Sequence, residues 1–292
     1  MKAGSTKALG VSLALTAVTA IWGWSFFLIW DAIQKYDFVA FLGVRFIIAA
    51  AAMAPFVLRR ATWPTFATGL AIGLMLAAAY LFQTWGQLST NVSDCALITG
   101  LFIVLVPVCD WLVFRRRPAR QLWLALGISV VGTFMLAWHG PRTFEGGDAL
   151  VAIGALAFAM HISLLSRYSR RHDSGVLTMA QMLAVGLTFC IAWPFRAPLT
   201  LPPAGVWPAI LITAVLGAAL GFYVQTAAQR KLPATRAAII LATEPVFGAT
   251  FGYVLAGDRL DAPQIVGGVL ILAAVGITEA LSAARRGADA NR

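Results

Sequence analysis

Of 292 residues, 60% are hydrophobic and only 12% are charged, with a mean hydropathy of +0.82. About a quarter of a typical soluble chain is Asp, Glu, Lys or Arg, so these charges are too few to cover a water-soluble surface. The net charge of +10 invites a nucleic-acid partner, but the placement of that charge along the chain argues against one.

The apolar residues run in uncharged blocks: 8–30, 121–140, 149–166, 174–195 and 197–229 contain no Asp, Glu, Lys or Arg. A helix needs roughly 20 mostly apolar residues to cross the hydrocarbon core, whereas outer-membrane strands alternate over about 10. The pattern predicts an all-α integral membrane protein with ten transmembrane helices, near 8–30, 38–58, 67–87, 95–114, 122–138, 149–168, 178–195, 209–228, 237–256 and 262–281. The first block follows Lys2 and Lys7, as a signal peptide would. It is read instead as a retained helix, because it is long, holds tryptophans and lacks a small-residue cleavage pattern.

With the N-terminus inside, 17 of the 22 Lys and Arg residues fall in cytoplasmic segments; Lys35, Arg142, Arg196 and Arg259 lie opposite and Arg45 lies within the second span. This is the positive-inside distribution. It predicts both termini in the cytoplasm and contact with anionic lipid head groups, and leaves no basic patch for nucleic acid. Cys95, Cys109 and Cys190 form no CxxC pair, and His139, His161 and His172 are scattered, so no disulfide framework, metal or cofactor is expected. No nucleophile–base pair or metal-ligand cluster suggests an enzyme. Nothing fixes an oligomeric state; a monomer is compatible with the sequence.

The third span carries Tyr80, Gln83, Thr84 and Gln87 at i, i+3, i+4 and i+7, a single helical face. A shift of 142 residues lands on Phe222, Gln225, Thr226 and Gln229 in the eighth. Five spans per half put the second half in the opposite orientation. The expected plan is two inverted five-helix repeats, 1–145 and 146–292, around a central cavity, as in many secondary transporters.

At this point the residues resemble a known family. Trp22-Gly23-Trp24 in the first span, Arg45-Phe46 in the second, Gln225 to Arg230, Thr235-Arg236 and Glu244-Pro245-Val-Phe247 are similar, in order and spacing, to EamA-type members of the drug/metabolite transporter superfamily. Within it the sequence is most similar to the YddG-type amino-acid exporters. The resemblance implies ten helices, a basket-like bundle with a central cavity, and export of a small solute across the inner membrane. Two turns depart from the family pattern. Arg115-Arg-Arg117-Pro118 stands where many members have Gly-Glu-Arg, and Gly257-Asp258-Arg259 has Asp in the Glu position.

Polar groups at membrane depth must pair or face water. The two stripes therefore either line a substrate path, with Thr99 of the fourth span, or stitch helices together. Trp22, Tyr80 and Phe158 offer aromatic walls that suit an amphipathic solute or an ammonium. His161 either meets substrate or is a hydrogen-bonded structural histidine. Glu244, followed at once by Pro245, marks a helix break; it is expected to pair with Arg45 or cap a helix, with titration during transport as the other reading. The first span has no acid between 8 and 30, which rules out the first-helix glutamate mechanism of the small multidrug relatives. The expected cargo is an amino acid, neutral or aromatic, with another small metabolite or drug as the alternative. A nucleotide sugar is disfavoured because Arg45 is the one cation at depth.

Overall fold

The structure is a computed structural model that describes residues 2–90, 92–117, 119–120, 122–136, 146–251, 253–254 and 259–290. Every regular element among them is helical. The first half holds α1 (Lys2–Ile33), α2 (Phe38–Val57), α3 (Trp63–Gly86), α4 (Val92–Thr99), α5 (Phe102–Phe114) and α6 (Leu122–Leu136). The second holds α7 (Gly146–Tyr168), α8 (Ser174–Ala192), α9 (Trp207–Ile212), α10 (Phe222–Gln229), α11 (Ala234–Leu241), α12 (Glu244–Phe251) and α13 (Ala262–Ala290). Eight segments are long and apolar enough to cross a membrane, which makes this a multi-pass membrane protein.

The two other expected spans take shorter forms. The fifth is α6, 15 residues long, with 137–138 outside the described residues. The ninth is split into α11 and α12 around Ala242 and Thr243, where the sequence places a break. Pro245 sits in the first turn of α12, where its missing N–H costs nothing. The Thr243 amide closes the turn by donating to Ile240 O at 3.1 Å. A second break, between α4 and α5 at Gly100 and Leu101, was not expected. Of the two turns that depart from the family pattern, Arg115 caps α5 at φ 54°, while Gly257 and Asp258 lie outside the described residues, as does His139.

The eighth span is continuous but not uniform. Between α9 and α10 lies a nine-residue π-helical stretch, Thr213–Gly221. A π turn is wider than an α turn and leaves carbonyls open to other partners. Here Gly217 O accepts the indole N–H of Trp22 at 2.9 Å, and Thr213 O accepts Nε of Arg45 at 3.3 Å. The indole occupies the space a Cβ on Gly221 would fill, 2.8 Å from its nitrogen.

Helices approach through small residues, because lipid tails supply no hydrophobic drive between apolar surfaces and backbone contact must replace it. Gly69 and Gly73 of α3, four apart, face Ala180 and Ala184 of α8, also four apart; a Cβ on Gly73 would lie 2.7 Å from Ala184 Cβ and 2.8 Å from Gln181 Cα. Gly132 of α6 meets Gly267 and Ile271 of α13 in the same way.

Antiparallel α2 and α8 are fastened at both ends by the same device. Asp37 caps α2 through Oδ1, which accepts from Val39 N and Ala40 N at 2.9 and 3.2 Å, while its Oδ2 takes Nε of Arg196 at 3.0 Å. Asp173 caps α8 through Oδ1, from Val176 N at 3.0 Å, while its Oδ2 takes Nη1 of Arg60 at 3.4 Å. The preceding residues also reach across: Tyr36 OH donates to Thr200 O at 2.7 Å, and His172 Nδ1 lies 3.0 Å from Thr65 Oγ1. Elsewhere, Arg236 of α11 holds Glu279 of α13 with Nη2 at 2.7 Å from Oε2, and Ser12 of α1 donates to the same carboxylate at 2.9 Å.

Two predictions test this packing, both read as unfolding midpoints in detergent. Asp37→Ala and Asp173→Ala each lose a helix cap (about 1 kcal/mol) as well as an ion pair. Arg196→Ala and Arg60→Ala lose only a half-exposed pair (about 0–1 kcal/mol), so each aspartate change lowers the midpoint more than its arginine partner. Gly73→Leu forces α3 off α8 and costs on the order of 1–3 kcal/mol, whereas the same change at Gly127, where a Cβ meets nothing within 4 Å, leaves the midpoint within a degree or so of the parent.

Candidate functional site

A cavity lies inside the bundle, with about 590 Å³ of space not filled by atoms, counting the part open at its mouth. Its wall is contributed by spaced residues on helix faces. Trp22, Ser25, Phe26 and Ile29 come from α1 at i, i+3, i+4 and i+7, and Phe158, His161 and Ile162 come from α7. Tyr80 and Gln83 come from α3, Gln87 from its C-cap, and Phe222 and Gln225 from α10. The two helix breaks supply the rest: Thr99 and Phe102 from either side of one, Leu241 and Glu244 from either side of the other. A break is tolerated at membrane depth because it lines a cavity, where solvent or solute meets the backbone.

Aromatic rings form a connected set. Trp22 and Phe222 have centroids 5.1 Å apart, Tyr80 and Phe158 5.3 Å, and Tyr80 and Phe222 bridge the two pairs at 6.2 Å. His161 stands edge-on to Phe222 at 5.8 Å. Such tilted and edge-to-face contacts suit the ring quadrupole and give the cavity a stiff wall.

The polar lining is mostly committed. Gln83 Nε2 donates to Thr99 Oγ1 at 2.9 Å, and Gln87 Nε2 to Phe26 O at 3.2 Å. Ser25 donates to Trp22 O at 2.8 Å. Gln181 donates its amide N–H to Leu177 O, which turns its Oε1 toward His161 Nε2 at 2.8 Å. Nε2 of His161 is therefore the protonated nitrogen, and Nδ1, buried and without a partner, is an acceptor in the neutral ring. Gln225 Oε1 is likewise buried and unpartnered.

Most of the expected site residues meet at this cavity: Trp22, Tyr80, Gln83, Gln87 and Thr99 do, as do Phe158, His161, Phe222, Gln225 and Glu244. Three stripe members, Thr84, Thr226 and Gln229, do not. Thr84 is buried outside the lining, and Thr226 lies 3.0 Å from the Thr178 hydroxyl, between α10 and α8. The two threonines sit on the flank of their helix away from the cavity-lining glutamines, so they serve packing. Gln229 also stitches helices, donating to Ile162 O at 2.8 Å and to Ser166 Oγ at 2.7 Å.

Of the two structural roles expected for Glu244, the pair with Arg45 is not formed, and the residue instead stands at the start of a helix. Arg45, 1% exposed, sits behind Tyr80 with its guanidinium carbon 4.9 Å from the Phe46 ring centroid and 5.2 Å from that of Tyr80; Nη1 has no partner. Ring faces stand in for a counter-ion there. Glu244 opens α12 on the cavity wall, and no hydrogen bond or ion pair engages its carboxylate among the described residues. Pro245 is buried behind it. Sequence reasoning missed Ser25, Phe26 and Ile29, although their spacing from Trp22 marks them, and Phe102, Ile162 and Leu241, which carry no polar signal.

The EamA-like transporter family model matches residues 8–138 and again 146–279. An uncharacterized transporter of Archaeoglobus fulgidus is 31% identical over 276 residues, covering 94% of this chain and 87% of that protein. The uncharacterized inner membrane transporter YedA of Escherichia coli K12 is 24% identical over 277 residues, covering 91% and 89%. A solved structure described only as a crystal structure of protein shares the fold, with a TM-score of 0.77 over 96% of this chain and 98% of that one at 15% identity. The likeness runs the length of the chain and is carried by both halves. The chain belongs to the EamA-like transporter family.

Proposed function

We propose that this family member is an inner-membrane secondary transporter that exports amino acids, neutral or aromatic, by alternating access around the central cavity. In this reading α6 and the α11–α12 pair join the eight longer spans to make ten crossings, with both termini cytoplasmic. Residues 1–145 and 146–292 are then two inverted repeats.

The observation that carries the reading is the correspondence of the cavity wall between halves. An offset of 136 relates Trp22 to Phe158, Ser25 to His161 and Phe26 to Ile162; an offset of 142 relates Tyr80 to Phe222, Gln83 to Gln225, Thr99 to Leu241 and Phe102 to Glu244. Contacts correspond as well as positions. Trp22–Phe222 answers Phe158–Tyr80, and Gln87 donating to Phe26 O answers Gln229 donating to Ile162 O. The offset of 136 also maps Asp37 onto Asp173 and Arg60 onto Arg196, so each ion pair at the ends of α2 and α8 is the image of the other. A site between opposed repeats is where such transporters bind solute. An aromatic wall with scattered amide and hydroxyl groups suits a small amphipathic solute. Another small metabolite or drug would use the same cavity.

Counterflow into proteoliposomes tests this. Unlabelled phenylalanine, leucine or another neutral amino acid inside is expected to drive uptake of its labelled form from outside. Tyr80→Ala and Phe222→Ala should each cut the rate by tenfold or more while the protein stays monodisperse. If no amino acid in a full panel exchanges, the cargo is wrong. Lining is tested separately in a background with Cys95, Cys109 and Cys190 replaced by alanine. A small thiol reagent should label Gln225→Cys several-fold faster than Thr226→Cys, and saturating solute should slow only the former.

A further inference from the structure

The cavity wall matches between the halves except at one end. Nine of its described residues come from the first half and seven from the second. Under the offsets of 136 and 142, the seven are the images of seven of the nine. The two left over are Ile29, near the end of α1, and Gln87, the C-cap of α3. Their images are Leu165 and Gln229, near the ends of α7 and α10; neither reaches the wall, and both are 0% exposed. In the two-repeat reading the ends of α1 and α3 lie on one side of the membrane and those of α7 and α10 on the other. The cavity therefore continues toward Ile29 and Gln87 and stops short of Leu165 and Gln229. Arg167, Arg230 and Lys231 follow on the closed side, which is the cytoplasmic side in that reading. A tie between α10 and α7 spans it. Gln229 Nε2 donates to Ile162 O at 2.8 Å and to Ser166 Oγ at 2.7 Å, while Gln229 Oε1 is buried without a donor. On the wider side Gln87 Nε2 makes one bond, to Phe26 O at 3.2 Å, because the position matching Ser166 is Trp30.

We propose that Leu165 and Gln229 are solute-path residues of the opposite-facing state, and that the Gln229–Ser166 tie is a gate closed in this one. The assignment rests on reading the cavity as a solute path between opposed repeats. Alternating access moves one repeat against the other around a fixed site. When the halves exchange shapes, images exchange roles: Gln229 and Leu165 come onto the wall, and Gln87 and Ile29 leave it. The exchange needs no new fold, because each tie that opens is answered by its image closing. A buried acceptor without a donor is costly, and opening the gate lets water or solute reach Gln229 Oε1, which offsets part of the two bonds lost. For an exporter the gate is the cytoplasmic entrance, so Gln229 meets the solute before the aromatic wall does.

The test measures how fast a small water-soluble thiol reagent labels I29C and L165C, each alone in the background without native cysteines. Q229L, with S166A as the milder variant, removes bonds of the closed gate. Each should speed labelling of L165C threefold or more and slow that of I29C by a similar factor; Q87L should do the reverse. If the two rates stay unchanged, or move in the same direction, in folded Q229L and S166A, the assignment is wrong. A second arm bridges S166C to Q229C with a short bis-thiosulfonate. Bridging should stop amino-acid counterflow, and a reductant should restore it; counterflow that continues at the unbridged rate in fully bridged protein also overturns the gate. The labelling arm needs no solute, which separates the two readings. Opposite shifts in labelling without exchange of any amino acid leave the gate standing and remove the cargo. Exchange with unmoved labelling removes the gate and leaves the transport reading.

Discussion

Within the hydrocarbon layer there is no water to satisfy a polar group, so each one must find a partner in the protein or open onto an internal cavity. That constraint arranges the rest of this molecule. It turns Gln87 and Gln229 toward backbone carbonyls on neighbouring helices, and Thr226 toward Thr178. It holds Arg45 against two rings and a carbonyl. It also places both interrupted helices, α4–α5 and α11–α12, at the cavity, since backbone outside a regular helix needs a wet or protein-lined surrounding.

Close packing supplies the complementary half. The α3–α8 and α6–α13 contacts pass through glycine and alanine, which lets backbones touch and leaves little freedom for these pairs to slide. With α2 and α8 fastened at both ends, they form a stiff frame, and α3 also supplies the Tyr80 and Gln83 part of the cavity wall. The rest of the wall comes from α1, α7, α10 and the two breaks, and the π stretch lies directly before α10.

The repeat reading also makes sense of where the halves differ. Ring faces recur at matching positions, so the aromatic wall is shared. The π stretch has no counterpart in α3, which is a regular α-helix from Trp63 to Gly86. Glu244 answers to Phe102, which concentrates charge on one side. In that reading, symmetry accounts for the shape of the cavity, and departures from it account for its polarity.

Much of this was legible in the sequence. Uncharged blocks located the helices because burial in lipid leaves no room for charges, and the basic residues between them are the basis of the expected topology. The Tyr80–Gln87 face was visible because its members share one side of a helix, and a Glu-Pro pair at depth marked a break. The second offset, 136, was not visible: Trp22 and Phe158, or Ser25 and His161, share a position without sharing a chemistry. The connection between α8 and α9 is also longer than that between α2 and α3, which shifts the register. Which stripe residues face the cavity, and that Arg45 and Glu244 do not pair, depended on how helices distant in the chain are rotated against one another. The sequence by itself determined the family, the spans and the candidate faces, since these follow from hydropathy and local periodicity. Only the tertiary structure decided which polar groups are spent on neighbours and which are not, because that accounting needs the partner's position as well as the residue's own.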